Sequence, residues 1–370
     1  MKIDINIKEF IDESINKNVF PSVSIGIRHL NGNNKNKSII YSANSIDKNK
    51  GNIIKNKKYY DIASLTKPFV TVLSLLSLVK EEKLSLNENI VNILNISNYK
   101  SDINSINIEH LLSHSAGFPD HRNYYKKLVN ILPDRRKEFL IELLLKEPLL
   151  YKPGSRVLYS DLGYMLLGLL IEKISGIELD EYFNKMILKP IGLEEHIFFN
   201  PIGSKKHRPE EFAPVEECPW RERVLQGEVS DENCWALGGV SGHAGLYGDI
   251  SGVLDLTGYI LDIWLGKKNH PNINSHDINY FLKRRPGIKG NTWALGFDTP
   301  SPGKSSSGKY FSTTSVGHLG FTGSSFWIDP ERELVIVILS NRVHPRRSHN
   351  IIMEFRPEFQ NKVVEWLGLQ

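Results

Sequence analysis

Six consecutive apolar residues, Leu334-Val335-Ile336-Val337-Ile338-Leu339, limit the fold more than any other stretch. Most are β-branched, which favours a strand. Side chains alternate between the two faces of a sheet, so a strand of this composition must be covered on both. It therefore predicts a central strand over Glu333–Ser340. Partners are available at both ends of the chain. Ser22–His29, Ser38–Tyr41 and Tyr59–Ile62 read as strands near the start, and Tyr310–His318 and Ser324–Ile328 near the end. Helical spacing marks residues 3–17, through Ile7, Phe10, Ile11 and Ile15, and also 355–367. The middle is mainly helical, with candidates at 108–114, 137–145, 162–174 and 250–265. Residues 196–235 read as loop, rich in proline and charge.

The fold class expected is α/β (α+β): an antiparallel sheet built from both chain ends, flanked by helices, with a mostly helical inserted region. Residues 1–75 and 245–370 would form the sheet region and 76–244 the helical one, with a cleft between them. At 370 residues the chain can bury a large core. The net charge of +4 comes largely from seven lysines in an Asn/Lys-rich stretch, Lys35 to Lys58. The stretch lacks the repeated aromatic interleaving that single-stranded nucleic acid would require, so no nucleic-acid partner is expected. Two cysteines, Cys218 and Cys234, make neither a disulfide framework nor a metal cluster. The longest apolar runs, Phe69–Val79 and Met165–Ile171, are too short and interrupted to span a bilayer. The acidic N-terminus does not resemble a signal peptide. The location expected is cytoplasmic, with export under a trimmed leader left open.

Chemistry enters at Ala63-Ser64-Leu65-Thr66-Lys67-Pro68-Phe69, read as the entrance to a helix with Ser64 as N-cap. Pro68 suits a first turn, where a missing amide hydrogen costs little. Ser64 and Lys67 are three apart, which brings both side chains to one helical face. A serine hydroxyl becomes a nucleophile when a neighbour takes its proton, and a lysine of lowered pKa can do so. By itself Ser-x-x-Lys is common, and a capping serine beside a solvated lysine is its more frequent explanation. His110 and His114 stand four apart on a predicted helix, but Leu111 replaces the glutamate of a metalloprotease pattern, so packing is the better account and no metal is expected. The glycine-rich passage Gly238-Gly239-Val240-Ser241-Gly242-His243-Ala244-Gly245 lacks G-x-G-x-x-G. It suggests tight backbone packing beside a cleft. His243 has no assigned role.

Two further segments accompany Ser64/Lys67: Tyr159-Ser160-Asp161 at a turn before a helix, and Gly317-His318-Leu319-Gly320-Phe321-Thr322-Gly323 on a strand. Their order and spacing resemble the serine β-lactamase and penicillin-binding-protein superfamily, in the class C β-lactamase, esterase and D-peptidase branch. His110–Pro119, Tyr151–Gly168, Gly317–Pro330 and the passage Gly227–Leu246 share the resemblance. It implies a serine hydrolase acting through an acyl-enzyme on an ester or amide, with no cofactor and a small-molecule or short-peptide substrate. Ser64 would be acylated, Lys67 would take or share its proton, and Tyr159 would relay a proton to the leaving group. The backbone N–H groups of Ser64 and Phe321 would form the oxyanion hole. Asp161, His318 and Gly320 would contact substrate, Gly320 by letting the strand backbone approach it.

The chain departs from the family twice. Tyr-x-Asn becomes Tyr159-Ser160-Asp161, and an ionised Asp161 cannot donate to a substrate carbonyl. It can pair with Lys67, raising the lysine's pKa and favouring Tyr159 as base, or bind a substrate ammonium. Lys-Thr/Ser-Gly becomes His318-Leu319-Gly320. Histidine would keep part of the lysine's grip on a carboxylate at low pH, while Leu319 offers no hydroxyl. Poor β-lactam turnover is expected. The rival reading is an inactive peptide- or β-lactam-binding or sensing protein on the same fold.

Overall fold

The structure is a computed structural model that describes residues 2–31, 35–45, 58–96 and 102–370. Much of the Asn/Lys-rich stretch lies outside the described residues. Leu334–Ser340 is the middle strand of a five-stranded antiparallel sheet. It pairs on one side with Ser22–Asn31 (Val337 opposite Gly26) and on the other with Ser325–Asp329 (Val337 opposite Phe326). Lys35–Asn44 and Val316–Leu319 form the two edges. Both chain ends thus build one sheet.

Alternation along the middle strand divides the interior. Leu334, Ile336 and Ile338 join a core with Ile7 and Ile11 of helix Lys2–Asn16 and with Phe355, Phe359 and Val363 of helix Ile352–Leu367. Val335, Val337 and Leu339 join the larger core on the opposite face. There helix Ile250–Trp264 lies against the sheet, its Ile250 and Leu254 packed over Gly26. A buried ion pair, Arg28 to Asp262 at 2.8 Å, ties sheet to helix. Ile336 is fully buried, so Ile336→Ala is expected to cost about 2–5 kcal/mol in urea unfolding. A cost well below about 1 kcal/mol would mean that this face is not sealed.

Several local expectations are corrected. Residues 310–315 are not strand, because Ser312 turns its backbone and hydroxyl to the Asp329 carboxylate and local side-chain bonds replace the ladder. Residues 196–235 are not all loop. Ile197–Phe199 pairs with Leu246–Gly248, which also pairs with Tyr60–Asp61, and Glu232–Ala236 is a short helix capped by Asp231. Helix Ile108–Leu112 stops before His114, whose φ is +56°, so His110 and His114 do not share a helical face. The apolar segment from Ala63 to Lys80 is 83% buried inside the fold. It is long and apolar enough for a membrane span but packs as a core helix.

Candidate active site

The nucleophile segment sits where the small sheet meets the large one. Tyr60–Asp61 delivers the chain into a 3₁₀ turn, Ala63–Leu65; a π-helical stretch, Lys67–Val72, and an α-helix, Leu73–Lys80, follow. Ser64 is therefore not an N-cap, and its hydroxyl is not spent on the backbone. Ala63 carries a positive φ of 49°, a conformation that costs energy for any residue with a Cβ. Two bonds hold it there. Asp61 Oδ1 accepts from Ala63 N–H at 2.9 Å, and Thr66 Oγ1 donates to Ala63 O at 2.6 Å. Asp61 Oδ2 also accepts from Ser230 N–H at 2.9 Å. Burial pushes the Asp61 carboxyl up to about 6, against the two N–H bonds it accepts.

Lys67 is wholly buried, and its ammonium is held from several sides. Nζ donates to Ser64 Oγ at 2.8 Å and to the His243 carbonyl at 3.2 Å, and lies 2.7 Å from Asp161 Oδ1. Nζ lies 4.9 Å from the centre of the Tyr159 ring, and Lys67 and Ser64 are close enough to the phenol for both to pull its pKa down. Asp161 is placed by its position in the first turn of helix Asp161–Ser175, after the extended residue Ser160. Ser160 N–H donates to His114 Nδ1 at 3.1 Å, and the His114 ring packs 4.6 Å from Tyr159 and 4.5 Å from Trp293.

Burial by itself lowers an ammonium's pKa, but the Asp161 carboxylate and the Tyr159 phenol outweigh it and raise Lys67. Tyr159 is raised too, first by burial and further by Asp161, against the pull of Lys67. Burial acts to raise Asp161, yet Lys67, His121 and His243 hold it well below the usual carboxylate range. The three groups titrate as one unit, and their resting form is ammonium, phenol and carboxylate. Of the two outcomes expected for Asp161, the structure shows pairing with Lys67. Tyr159 at rest keeps its proton.

The third motif enters on Val316–Leu319, the edge strand beside the nucleophile turn. Gly320 is required by close approach, since a Cβ there would lie 2.7 Å from the Ile62 carbonyl. That contact is with the nucleophile segment rather than with a ligand. The Phe321 N–H has no acceptor among the described residues. His318 is 1% exposed, and its Nδ1 donates to the Leu319 carbonyl at 2.9 Å, which leaves Nε2 as a lone-pair acceptor. Burial, reinforced by Lys67, brings its pKa down to about 3. A low-pH grip on a carboxylate would need this ring protonated, which burial and Lys67 both oppose.

Ser64, Tyr159, Asp161, His318 and Phe321 all line one cavity of about 860 Å³, together with Trp293. His121, Trp293 and Asp231 were not singled out in the sequence. No motif spacing marks them, and only the packing of distant loops brings them to the cleft.

A β-lactamase family model matches residues 7–354. A protein of Salmonella heidelberg described as "Putative D-alanyl-D-alanine carboxypeptidase" is 34% identical over 308 residues, covering 77% of this chain and 69% of its own. The chain belongs to the β-lactamase family. Solved structures of similar fold include the octameric penicillin-binding protein homologue from Pyrococcus abyssi, with TM-score 0.69 and 22% identity over 100% of this chain and 78% of that one. EstCE1, described as a hydrolase with promiscuous acyltransferase activity, gives TM-score 0.72 at 17% identity, over 96% of this chain and 100% of its own. This β-lactamase-family chain is a hydrolase of the β-lactamase and penicillin-binding-protein superfamily.

Proposed function

We propose that Ser64 is the nucleophile of an acyl-enzyme hydrolase, with Lys67 and Tyr159 as its shared proton partner. The observation that carries this reading is the buried Lys67 ammonium, 2.8 Å from Ser64 Oγ and 4.9 Å from the centre of the Tyr159 ring. Catalysis starts from the form in which the Lys67/Tyr159 pair has lost one proton. Ser64 Oγ attacks the carbonyl carbon and its proton passes to the pair. The carbonyl oxygen becomes an oxyanion facing the N–H groups of Ser64 and Phe321. Collapse breaks the bond to the leaving group, which takes a proton through Tyr159. Water then attacks the acyl ester, giving its proton to the pair through Tyr159; as the acyl bond breaks, the pair returns that proton to Ser64 Oγ. The carboxypeptidase name of the Salmonella relative makes amides of D-amino acids one candidate substrate class. Short carboxylic esters are another.

Neutral His318 and the absence of a hydroxyl at Leu319 leave a penicillin carboxylate without its usual partners at the third motif. Short p-nitrophenyl esters are expected to turn over well above nitrocefin. A fluorophosphonate should add covalently to the wild type and not to Ser64→Ala, as read by intact mass. Labelling of neither protein, with no ester turnover, would favour the binding-protein reading. Faster nitrocefin hydrolysis would show that Leu319 and His318 do not exclude β-lactams.

A further inference from the structure

His243 lies in the glycine-rich passage and is 1% exposed, yet both of its ring nitrogens are engaged. Nε2 is 2.9 Å from Asp231 Oδ1, and Nδ1 is 2.8 Å from Ser241 Oγ. Asp231 is itself fixed, since the same oxygen accepts from Cys234 N–H at 2.7 Å. The Ser241 hydroxyl can donate or accept, so the clamp persists whether the ring is neutral or charged. The passage is held to the nucleophile segment by three hydrogen bonds. Thr71 Oγ1 donates to Gly242 O at 2.6 Å, Leu246 N–H donates to Thr66 Oγ1 at 3.2 Å, and Lys67 Nζ donates to His243 O at 3.2 Å. At Gly242 a Cβ would fall 2.3 Å from the Tyr164 carbonyl, so no larger residue allows this approach.

We infer that His243, clamped by Asp231 and Ser241, is a positioning residue for Lys67: its main-chain carbonyl sets the direction in which the lysine faces Ser64. The inference rests on the reading of Ser64 and Lys67 given above. An ammonium has three N–H bonds; here two are donated to Ser64 Oγ and His243 O, and Asp161 Oδ1 lies 2.7 Å away as the ion-pair partner. When Lys67 has lost one proton, its two remaining N–H bonds keep Asp161 and His243. The lone pair then points at Ser64 Oγ. As Oγ bonds to the carbonyl carbon, its proton moves onto that lone pair and the ammonium is restored. Without a fixed carbonyl at His243 the amine has one anchor, and its lone pair is free to turn away from the serine.

Among the described residues, the charged and titratable groups around Lys67 are Tyr159, Asp161 and Tyr164 at and after the turn into helix Asp161–Ser175, His114 before it, His318 on the edge strand, and His243 with Asp231 behind. The test is single-turnover acylation by a short p-nitrophenyl ester across pH, with melting temperature as the control for folding. For His243→Ala the acylation rate should fall at least tenfold while KM stays within twofold. The acid limb of the profile should move to lower pH, because a carbonyl that favours the ammonium has been displaced. His243→Gln, whose amide can donate to Asp231 and accept from Ser241, should recover most of the rate. Should His243→Ala not fold, Ser241→Ala removes one anchor without changing charge and should show a smaller loss in the same direction. A change confined to KM, an unmoved acid limb, or His243→Gln as slow as His243→Ala would overturn the inference. If Ser64→Ala is inert while every His243 and Ser241 variant matches the wild type, only the positioning role fails. An active Ser64→Ala would remove the reading on which it rests.

Discussion

Lys67→Ala is expected to lower kcat/KM on a short ester by about 10²–10⁴-fold, the range typical of a lost acid–base group. Tyr159→Phe should cost a similar factor. The double variant should be scarcely worse than either, because Lys67 bonds Ser64 and shifts the titration of Tyr159, so that the three act as a unit. Additive losses, measured by steady-state kinetics on the four proteins, would mean that the two residues serve separate steps. Lys67→Ala also strands the Asp161 carboxylate, 20% exposed and 2.7 Å from the missing ammonium, so its melting temperature should drop more than that of Tyr159→Phe.

Asp161→Asn should act in the opposite sense on rate. The carboxylate raises both Lys67 and Tyr159, so it opposes the loss of the proton that catalysis requires. Its removal should move the acid limb of the pH–rate profile to lower pH. Each unit of movement is worth roughly tenfold in rate below the limb. An acid limb that does not move, or a fall in rate at every pH, would show that Asp161 supports catalysis by some other contact. Stability should change the other way. Asp161 has a depressed pKa, so its contribution is present above the ordinary value of 3.8 and is lost as pH falls toward the folded value. Lys67 is raised, so the contribution of the same pair is present below 10.5 and is lost as pH rises through its folded pKa. Between those limits the variant should melt lower than the wild type, and the gap should close in strong acid. A gain in activity with a loss in stability is the trade expected when a strained or paired active-site charge is relieved.

Much of the architecture was legible because it is written in short-range pattern. The run Leu334–Leu339 alternates into two cores as a strand covered on both faces must, and helices at both termini follow their apolar spacing. The errors fell where side chains compete with the ladder, as at Ser312, or where a short strand such as Ile197–Phe199 lies in a proline-rich stretch. The three motifs around Ser64, Tyr159 and His318 were visible as residue types at set spacings.

What those residues are chemically was decided only by their packing. Ser64 escapes the capping role because Asp61 and Thr66 hold Ala63 at positive φ. Asp161 became the partner of Lys67 because helix Asp161–Ser175 begins with its carboxylate 2.7 Å from that ammonium. His318 lost its charge to burial, and His243 found Asp231 across a folded loop. Periodicity and local propensity depend on neighbours in sequence. A pKa, a tautomer or an oriented carbonyl depends on which charges and dipoles lie within a few ångströms, and for this chain the lysine's come from segments far from it in sequence, Asp161 and His243 among them.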